Sequence, residues 1–199
     1  MTTRSRTRLV GLALLAVVAA SVIAVVPAGC SSPIPNRNPV GETFPVVSGR
    51  SLEDAPVDLP AAVSGEPAVL LVGYLQDAQF DIDRWALGLA QSGTGVRRME
   101  VPAVGGWFPA MFLQPTIDDG MRAGIPKRDW PAVVTLYGDD AERVRTFTGT
   151  ERGRNARVLL LDDRGVVRWF RDDGYSPANL LEMIDLADRI GEKSAKSDP

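Results

Sequence analysis

Residues that commonly carry chemistry are scarce in this chain of 199 residues, which contains one cysteine, Cys30, and no histidine. A single cysteine cannot form a disulfide or a redox dithiol within the chain. The absence of histidine excludes Ser-His-Asp and Cys-His catalysis and histidine-ligated zinc. The sequence therefore predicts no catalytic residues, no cofactor and no metal site.

Adjacent aspartates are the remaining candidates for metal binding or acid–base chemistry. They form four pairs: Asp118-Asp119, Asp139-Asp140, Asp162-Asp163 and Asp172-Asp173. Calcium loops need several oxygen ligands at alternating positions and a closing carboxylate. A glycosidase needs two carboxyl groups that face each other across a sugar-binding cleft. Paired aspartates in separate predicted turns provide neither arrangement, so we interpret all four pairs as solvated turns.

A polar turn after a buried strand is the best candidate for a binding site. The segment "AVLLVGY", residues 68–74, is apolar on both faces and predicts a central parallel strand, and an amphipathic helix follows to about Gln91. Open α/β sheets bind ligands at such strand-to-helix junctions. Four side chains lie there: Tyr74, Gln76, Asp77 and Gln79. They either bind a partner or a small ligand, or the polar ones cap the helix N-terminus.

Three aromatic residues are further candidates for partner binding. Trp107 and Phe108 follow two glycines in "GGWFPAMF", and Trp130 lies in "RDWP" before a predicted strand. Exposed aromatic residues mark interaction surfaces. The alternative is that all three cover the core.

The N-terminus predicts an address outside the cytoplasm. Residues 9–28 are apolar and follow three arginines, which places the rest of the chain on the far side of a membrane. The sequence "VVPAGCSS" resembles the lipobox of bacterial lipoproteins, although Pro27 stands where that motif usually has an aliphatic residue. The resemblance implies cleavage before Cys30 and lipid attachment to its thiol. An uncleaved N-terminal transmembrane helix and plain secretion are the alternatives.

Composition divides the chain into four parts. Residues 1–29 are the predicted signal peptide or membrane anchor, 30–45 a flexible proline-rich tether, 46–191 the folded domain and 192–199 a disordered tail. Beyond residue 29 the chain has 19 basic and 25 acidic residues, a net charge of −6, without a basic stripe. Nucleic-acid binding is therefore excluded on electrostatic grounds.

The elements that position the candidate residues follow from periodicity. Apolar runs predict strands at 96–104 and 132–140, with a weaker helix pattern between them. Residues 156–173, "ARVLLLDDRGVVRWFRDD", predict a β-hairpin whose turn uses Gly165 for its positive φ. A last helix begins with Ser176 as N-cap and ends at Gly191.

This order, β-α-β-α-β followed by a hairpin and a helix, resembles the thioredoxin-like superfamily. The stretch "VLLLDDRGVVRWF" looks like the hairpin of the peroxiredoxin branch. Its residues Asp162, Gly165, Arg168 and Trp169 are similar to those of mitochondrial ATP-synthase assembly factors. The resemblance implies an α/β fold, a three-layer α/β/α sandwich around a mixed five-stranded sheet. "VLLVGY" is its middle strand, with "VRRMEV" and "VVTLYG" on one side and the hairpin on the other.

The same resemblance implies where redox residues belong. Thioredoxin-like enzymes hold their thiols at the junction after the middle strand, where this chain has Gln79 and Ile82. They also have a cis-proline before the next-to-last strand, where this chain has Asn155-Ala156-Arg157. We therefore expect a membrane-tethered extracytoplasmic domain of the bacterial cell envelope, without redox activity, that binds an envelope protein as an assembly or chaperone-like factor. A divergent peroxiredoxin-like enzyme and a small-ligand binder at the junction are the alternatives.

Overall fold

A computed structural model describes residues 33–105 and 110–197 of the chain. Within these residues the chain forms seven strands and four α-helices. The strands are β1 (Val47–Ser51), β2 (Pro56–Leu59), β3 (Ala68–Gly73), β4 (Arg97–Val104), β5 (Val134–Tyr137), β6 (Arg157–Leu161) and β7 (Val167–Arg171). The helices are α1 (Gln79–Ser92), α2 (Ala110–Gly124), α3 (Gly138–Thr148) and α4 (Pro177–Ser197). No helix among the described residues is long and apolar enough to cross a membrane.

The strands form one mixed sheet in the order β2-β1-β5-β4-β3-β6-β7. β3, β4 and β5 are parallel, and β6 and β7 continue the sheet as antiparallel strands. The order of these five strands confirms the prediction from sequence, with β3 in the middle. The N-terminal hairpin β1–β2 pairs with β5 and extends the sheet to seven strands rather than the predicted five.

Two apolar cores lie on opposite faces of the sheet. Side chains of β3 alternate between them, because successive residues of a strand point to opposite faces. Val69 and Leu71 pack with α1 and α4, whereas Leu70 and Val72 pack with α3. The whole of β3 is buried, which explains why the strand is an unbroken apolar run. The result is the predicted helix–sheet–helix layering.

The segment before β1 differs from the predicted flexible tether over residues 30–45. From Ile34 onward it is hydrogen-bonded to the domain: the Ile34 N–H donates to Thr150 Oγ1 at 2.9 Å, and the Thr150 N–H donates to the Ile34 carbonyl at 2.8 Å. Phe44 is 1% exposed and packs edge-on against Phe147, with ring centroids 5.7 Å apart. Apolar burial and backbone pairing with residues a hundred positions away therefore fix a segment whose proline-rich composition predicted flexibility.

Two helices also differ from the sequence prediction. The segment after β5 forms the helix α3, whereas the sequence predicts that the strand over 132–140 ends in an acidic turn. Asp139 and Asp140 lie in the first turn of this helix, where the helix dipole favours negative charge. α4 begins as predicted, with the Asn179 N–H donating to Ser176 Oγ at 3.4 Å. It continues through Gly191 to Ser197, so the tail predicted to be disordered is helical as far as that residue.

Candidate functional site

The junction between β3 and α1 is the predicted site. Leu75 leaves β3 in an extended conformation, and Gln76–Ala78 form a single 3₁₀ turn before α1 begins. Gln76, Asp77 and Gln79 are exposed. Gln79 donates to Asp83 at 2.8 Å, and Asp77 pairs with Arg154 at 3.4 Å. These three predicted site residues therefore lie on one surface.

Tyr74 does not share that surface. It is 8% exposed, and its hydroxyl donates to the Val144 carbonyl at 3.0 Å and lies 2.5 Å from Thr148 Oγ1. Burial raises the pKa of Tyr74 to about 12. The prediction that Tyr74 binds a partner is wrong because its side chain points into the core and fastens α3 to the end of β3. A ligand site made by all four junction residues is therefore not formed.

Asp81 is the residue of the junction that the sequence did not single out. It lies in the first turn of α1 and is 6% exposed. Its carboxylate accepts the Ala156 N–H at 2.9 Å and the Tyr175 N–H at 2.8 Å. Charge-assisted bonds of this kind are stronger than bonds between neutral groups. Asp81 thus joins the start of α1 to the start of β6, across the place where thiols lie in redox proteins of the resembled superfamily.

Arg157 organises the loop that faces the junction. It is fully buried at the start of β6 and donates to the carbonyls of Gly149 at 3.2 Å and Asn155 at 3.0 Å. A further bond reaches the side-chain oxygen of Asn36 at 3.2 Å. Burial lowers the pKa of Arg157 from its usual value. A buried guanidinium needs hydrogen-bond acceptors, and backbone carbonyls with the Asn36 side-chain oxygen accept from all three nitrogens of Arg157.

The guanidinium of Arg157 also lies over the Tyr74 ring, 5.0 Å from its centroid. This contact links the loop to the end of β3 and adds a cation–π attraction inside the protein. Neither Asp81 nor Arg157 carries a local sequence signal for these roles. Their partners lie 75 and 121 positions away for the bonds Asp81–Ala156 and Arg157–Asn36. The one sequence signal for Asp81 and Arg157 is that each is a charged residue within or beside a segment predicted to be buried.

Two large apolar side chains are exposed at this junction. Leu75 is 55% exposed and Phe80 is 72% exposed. With Gln76, Asp77 and Gln79 they form what we call the junction face. Burying a side chain of this size in an interface stabilises a complex by about 1.5–3 kcal/mol. The chemistry available at the junction face is therefore apolar contact and hydrogen bonding.

The other predicted site residues are not brought to the junction face. Trp130 precedes β5 and is half-buried, with its N–H donating to the Ile125 carbonyl at 2.9 Å. β5 runs parallel to β3. Trp130 precedes β5 and the junction follows β3, so the two lie at opposite ends of the parallel strands. Cys30, Trp107 and Phe108 lie outside the described residues.

The acidic pairs are not all solvated turns. Asp162 is 2% exposed; its carboxylate accepts the Arg164 and Val166 N–H groups at 3.0 and 2.9 Å and pairs with Arg168 at 2.7 Å. Asp118 is also buried and accepts the Tyr137 hydroxyl at 2.9 Å. Both aspartates have structural partners that sequence spacing does not reveal. The described residues contain no cluster of three or more histidine, cysteine or acidic side chains placed to hold a metal ion.

Sequence comparison and structure comparison give different results. No protein-family profile matches the chain, and no curated protein sequence matches it. The fold does match solved structures. A candidate protein disulfide isomerase from Bacteroides thetaiotaomicron is 10% identical with a TM-score of 0.54, and the match covers 83% of this chain and 98% of that one.

Two further matches come from other proteins. BsSco, a member of the Sco family of cytochrome c oxidase assembly proteins, is 11% identical with a TM-score of 0.52, covering 76% of this chain and 96% of its own. The exposed lipoprotein thioredoxin Etrx1 of Streptococcus pneumoniae is 9% identical with a TM-score of 0.48, covering 71% and 99%. Identities at this level establish the fold alone. The chain has a thioredoxin-like fold and contains no thiol pair.

Proposed function

We propose that this protein is a membrane-tethered extracytoplasmic thioredoxin-like domain that acts by binding another envelope protein and not by thiol chemistry. One observation carries the proposal. At the start of α1, Asp81 is hydrogen-bonded to the backbone of β6, and the two positions expected for thiols hold Gln79 and Ile82. Disulfide exchange and thiol peroxidase chemistry both need a thiolate.

The tether is inferred from the first thirty residues. An apolar run after three arginines, followed by Ala28-Gly29-Cys30, fits a lipoprotein signal, and the lipid then provides membrane affinity. A single acyl chain binds a protein to a membrane only weakly, so stable anchoring takes both acyl chains of the diacylglycerol group or an additional contact. With such a tether, the domain would lie on the outer face of a bacterial membrane.

The junction face supports the binding role. Leu75 and Phe80 expose apolar surface at the edge of the sheet where α/β proteins bind their ligands. Polar side chains surround them, and an apolar centre within a polar rim is typical of protein interfaces. BsSco is described as belonging to a family of assembly proteins, so a role in assembling other proteins is compatible with this fold.

Lipid labelling and enzyme assays test the proposal. We expect the full chain to incorporate a radiolabelled acyl chain, and Cys30→Ala to abolish both the label and retention in the membrane fraction. Dithiol-dependent reduction of insulin and of hydrogen peroxide should stay at background for the wild type and for Cys30→Ser. A peroxide or insulin turnover that Cys30→Ser removes would overturn the non-redox assignment.

A further inference from the structure

The N-terminal segment is fastened to the same end of the domain as the junction face. Ile34 pairs with Thr150 through two hydrogen bonds of 2.9 and 2.8 Å. The Asn36 N–H donates to Glu151 at 2.9 Å, and the Glu151 N–H donates back to Asn36 at 2.9 Å. The chain is therefore held to the loop 149–156 from its second described residue onward.

That loop is in direct contact with the junction face. A Cβ at Gly153 would lie 2.9 Å from the Leu75 side chain, so the backbone of the loop packs directly against Leu75. Arg154, one residue on, pairs with Asp77. The attachment point of the N-terminal segment and the exposed apolar side chains are consequently neighbours.

The length of chain between lipid and domain is short. Three residues, Ser31, Ser32 and Pro33, separate Cys30 from Ile34, a distance of four residue steps. Fully extended, they span at most about 14 Å. Given the lipid anchor proposed above, on which this inference rests, the end of the domain that carries Ile34 stays within about that distance of the lipid headgroups.

We propose that the junction face binds the extracytoplasmic surface of an integral membrane protein, close to the lipid headgroups. The charges around the face favour a protein over the bilayer itself. Exposed Arg84, Arg152 and Arg154 are balanced by exposed Asp77, Asp83 and Glu151. Anionic membranes attract surfaces with an excess of basic residues. A balanced rim around Leu75 and Phe80, with the amides of Gln76 and Gln79, fits a protein surface instead.

Site-specific photocrosslinking in intact membranes tests this partner. The full-length chain carries a photoreactive phenylalanine derivative at Phe80, or at Ser64 as the matched control. Ser64 is exposed and precedes β3, so it lies near the end of that strand opposite to the junction face. We expect the variant at Phe80 to crosslink to a protein that alkaline carbonate does not extract from the membrane, and the variant at Ser64 not to.

A change of tether length makes the test specific. Inserting twenty Gly/Ser residues between Ser32 and Pro33 lengthens the link between Cys30 and Ile34 from three residues to twenty-three. It should lower the crosslinking yield at Phe80 about tenfold, because the effective concentration near the membrane falls with linker length. An unchanged yield, a crosslink to lipid alone, or an equal yield for non-lipidated Cys30→Ala would each overturn the inference.

The failure of this inference differs from the failure of the proposed tether. A chain that is lipid-labelled and membrane-bound, but crosslinks only to lipid through Phe80, overturns the membrane-protein partner and leaves the tether intact. A wild-type chain that carries no lipid label and is released by a salt wash overturns both.

Discussion

At the scale of single residues, two buried charged side chains hold together the elements around the junction between β3 and α1. Asp81 and Arg157 hold α1, β6 and the loop between α3 and β6 in register through bonds to backbone groups. The sequence has no cysteine at the junction, but it does not indicate which interactions hold the junction together. The reason is physical: Asp81 bonds to Ala156, 75 positions away, and one bond of Arg157 reaches Asn36, 121 positions away, whereas a charged residue in isolation predicts solvent exposure.

Arg157→Met tests the structural role of the buried cation. Methionine keeps much of the side-chain volume but leaves the carbonyls of Gly149 and Asn155 without their donor. We expect a loss of about 3–4 kcal/mol in the free energy of unfolding, measured by urea denaturation of the purified chain. Arg154→Met, in the same loop but exposed, should cost less than about 0.5 kcal/mol. Similar losses for the two variants would contradict the role of Arg157.

Tyr74 links stability to alkaline pH. Burial raises its pKa from 10.0 to about 12 in the folded chain, so the neutral phenol contributes stability that is complete below pH 10. That contribution is lost as the pH rises through the folded value. Tyr74→Phe should cost about 1 kcal/mol at pH 7 and flatten the decline of stability between pH 10 and 12, measured by chemical denaturation at each pH. If Tyr74→Phe left the decline of stability between pH 10 and 12 unchanged, the phenol would ionise equally readily in the folded and the unfolded chain.

At the scale of elements, local patterns predicted what local interactions determine. The apolar run of β3 and the hairpin turn at Gly165, where φ is +78°, were read from a few neighbouring residues and are present. The helix α3 was missed because its polar start, Gly138-Asp139-Asp140, is also typical of a turn. Packing of Val144 and Phe147 against the sheet decides between helix and turn, and that contact is not visible in a local window.

The β6–β7 hairpin has its own pH dependence. Burial alone raises the pKa of Asp162, but the N–H groups of Val166 and Arg164 and the Arg168 guanidinium outweigh it and hold the pKa below the ordinary 3.8. The ion therefore stabilises the folded chain above pH 3.8, and this contribution disappears as the pH falls through the lower folded value.

Asp162→Asn tests that linkage. It should cost about 2 kcal/mol at pH 7 and reduce the acid-induced decline in stability below pH 4, followed by urea denaturation at a series of pH values. Asp163→Asn, which removes one charge from the same turn but none of these bonds, is the matched control. Equal effects of both substitutions at neutral pH would refute the special role of Asp162.

At the scale of the whole molecule, the folded domain begins earlier than composition indicates. Prolines and small polar residues between Ser32 and Phe44 predicted a flexible spacer, yet this segment contributes Phe44 to a core. Composition predicts how a segment behaves when nothing packs against it. Here Phe44 packs against Phe147, about a hundred positions later in the chain. The proposed address of the protein, by contrast, is inferred from the first thirty residues.

Phe44→Ala tests whether that segment is part of the fold. Removing a buried aromatic side chain should lower the free energy of unfolding by about 3–4 kcal/mol, measured by thermal or urea denaturation. Val46 lies two residues away and is 74% exposed, so Val46→Ala should change the free energy of unfolding by less than about 0.5 kcal/mol. A neutral Phe44→Ala would mean that the segment detaches in solution.

The pairing of Ile34 with Thr150 also has a mechanical consequence. With the lipid anchor proposed above, a pull on Cys30 would reach the loop 149–156 through the two Ile34–Thr150 hydrogen bonds. That loop contains Ala156, whose N–H donates to the Asp81 carboxylate, and it contacts Leu75 through Gly153. Under that proposal, tension on the lipid and binding of a partner at the start of α1 would both load the loop 149–156.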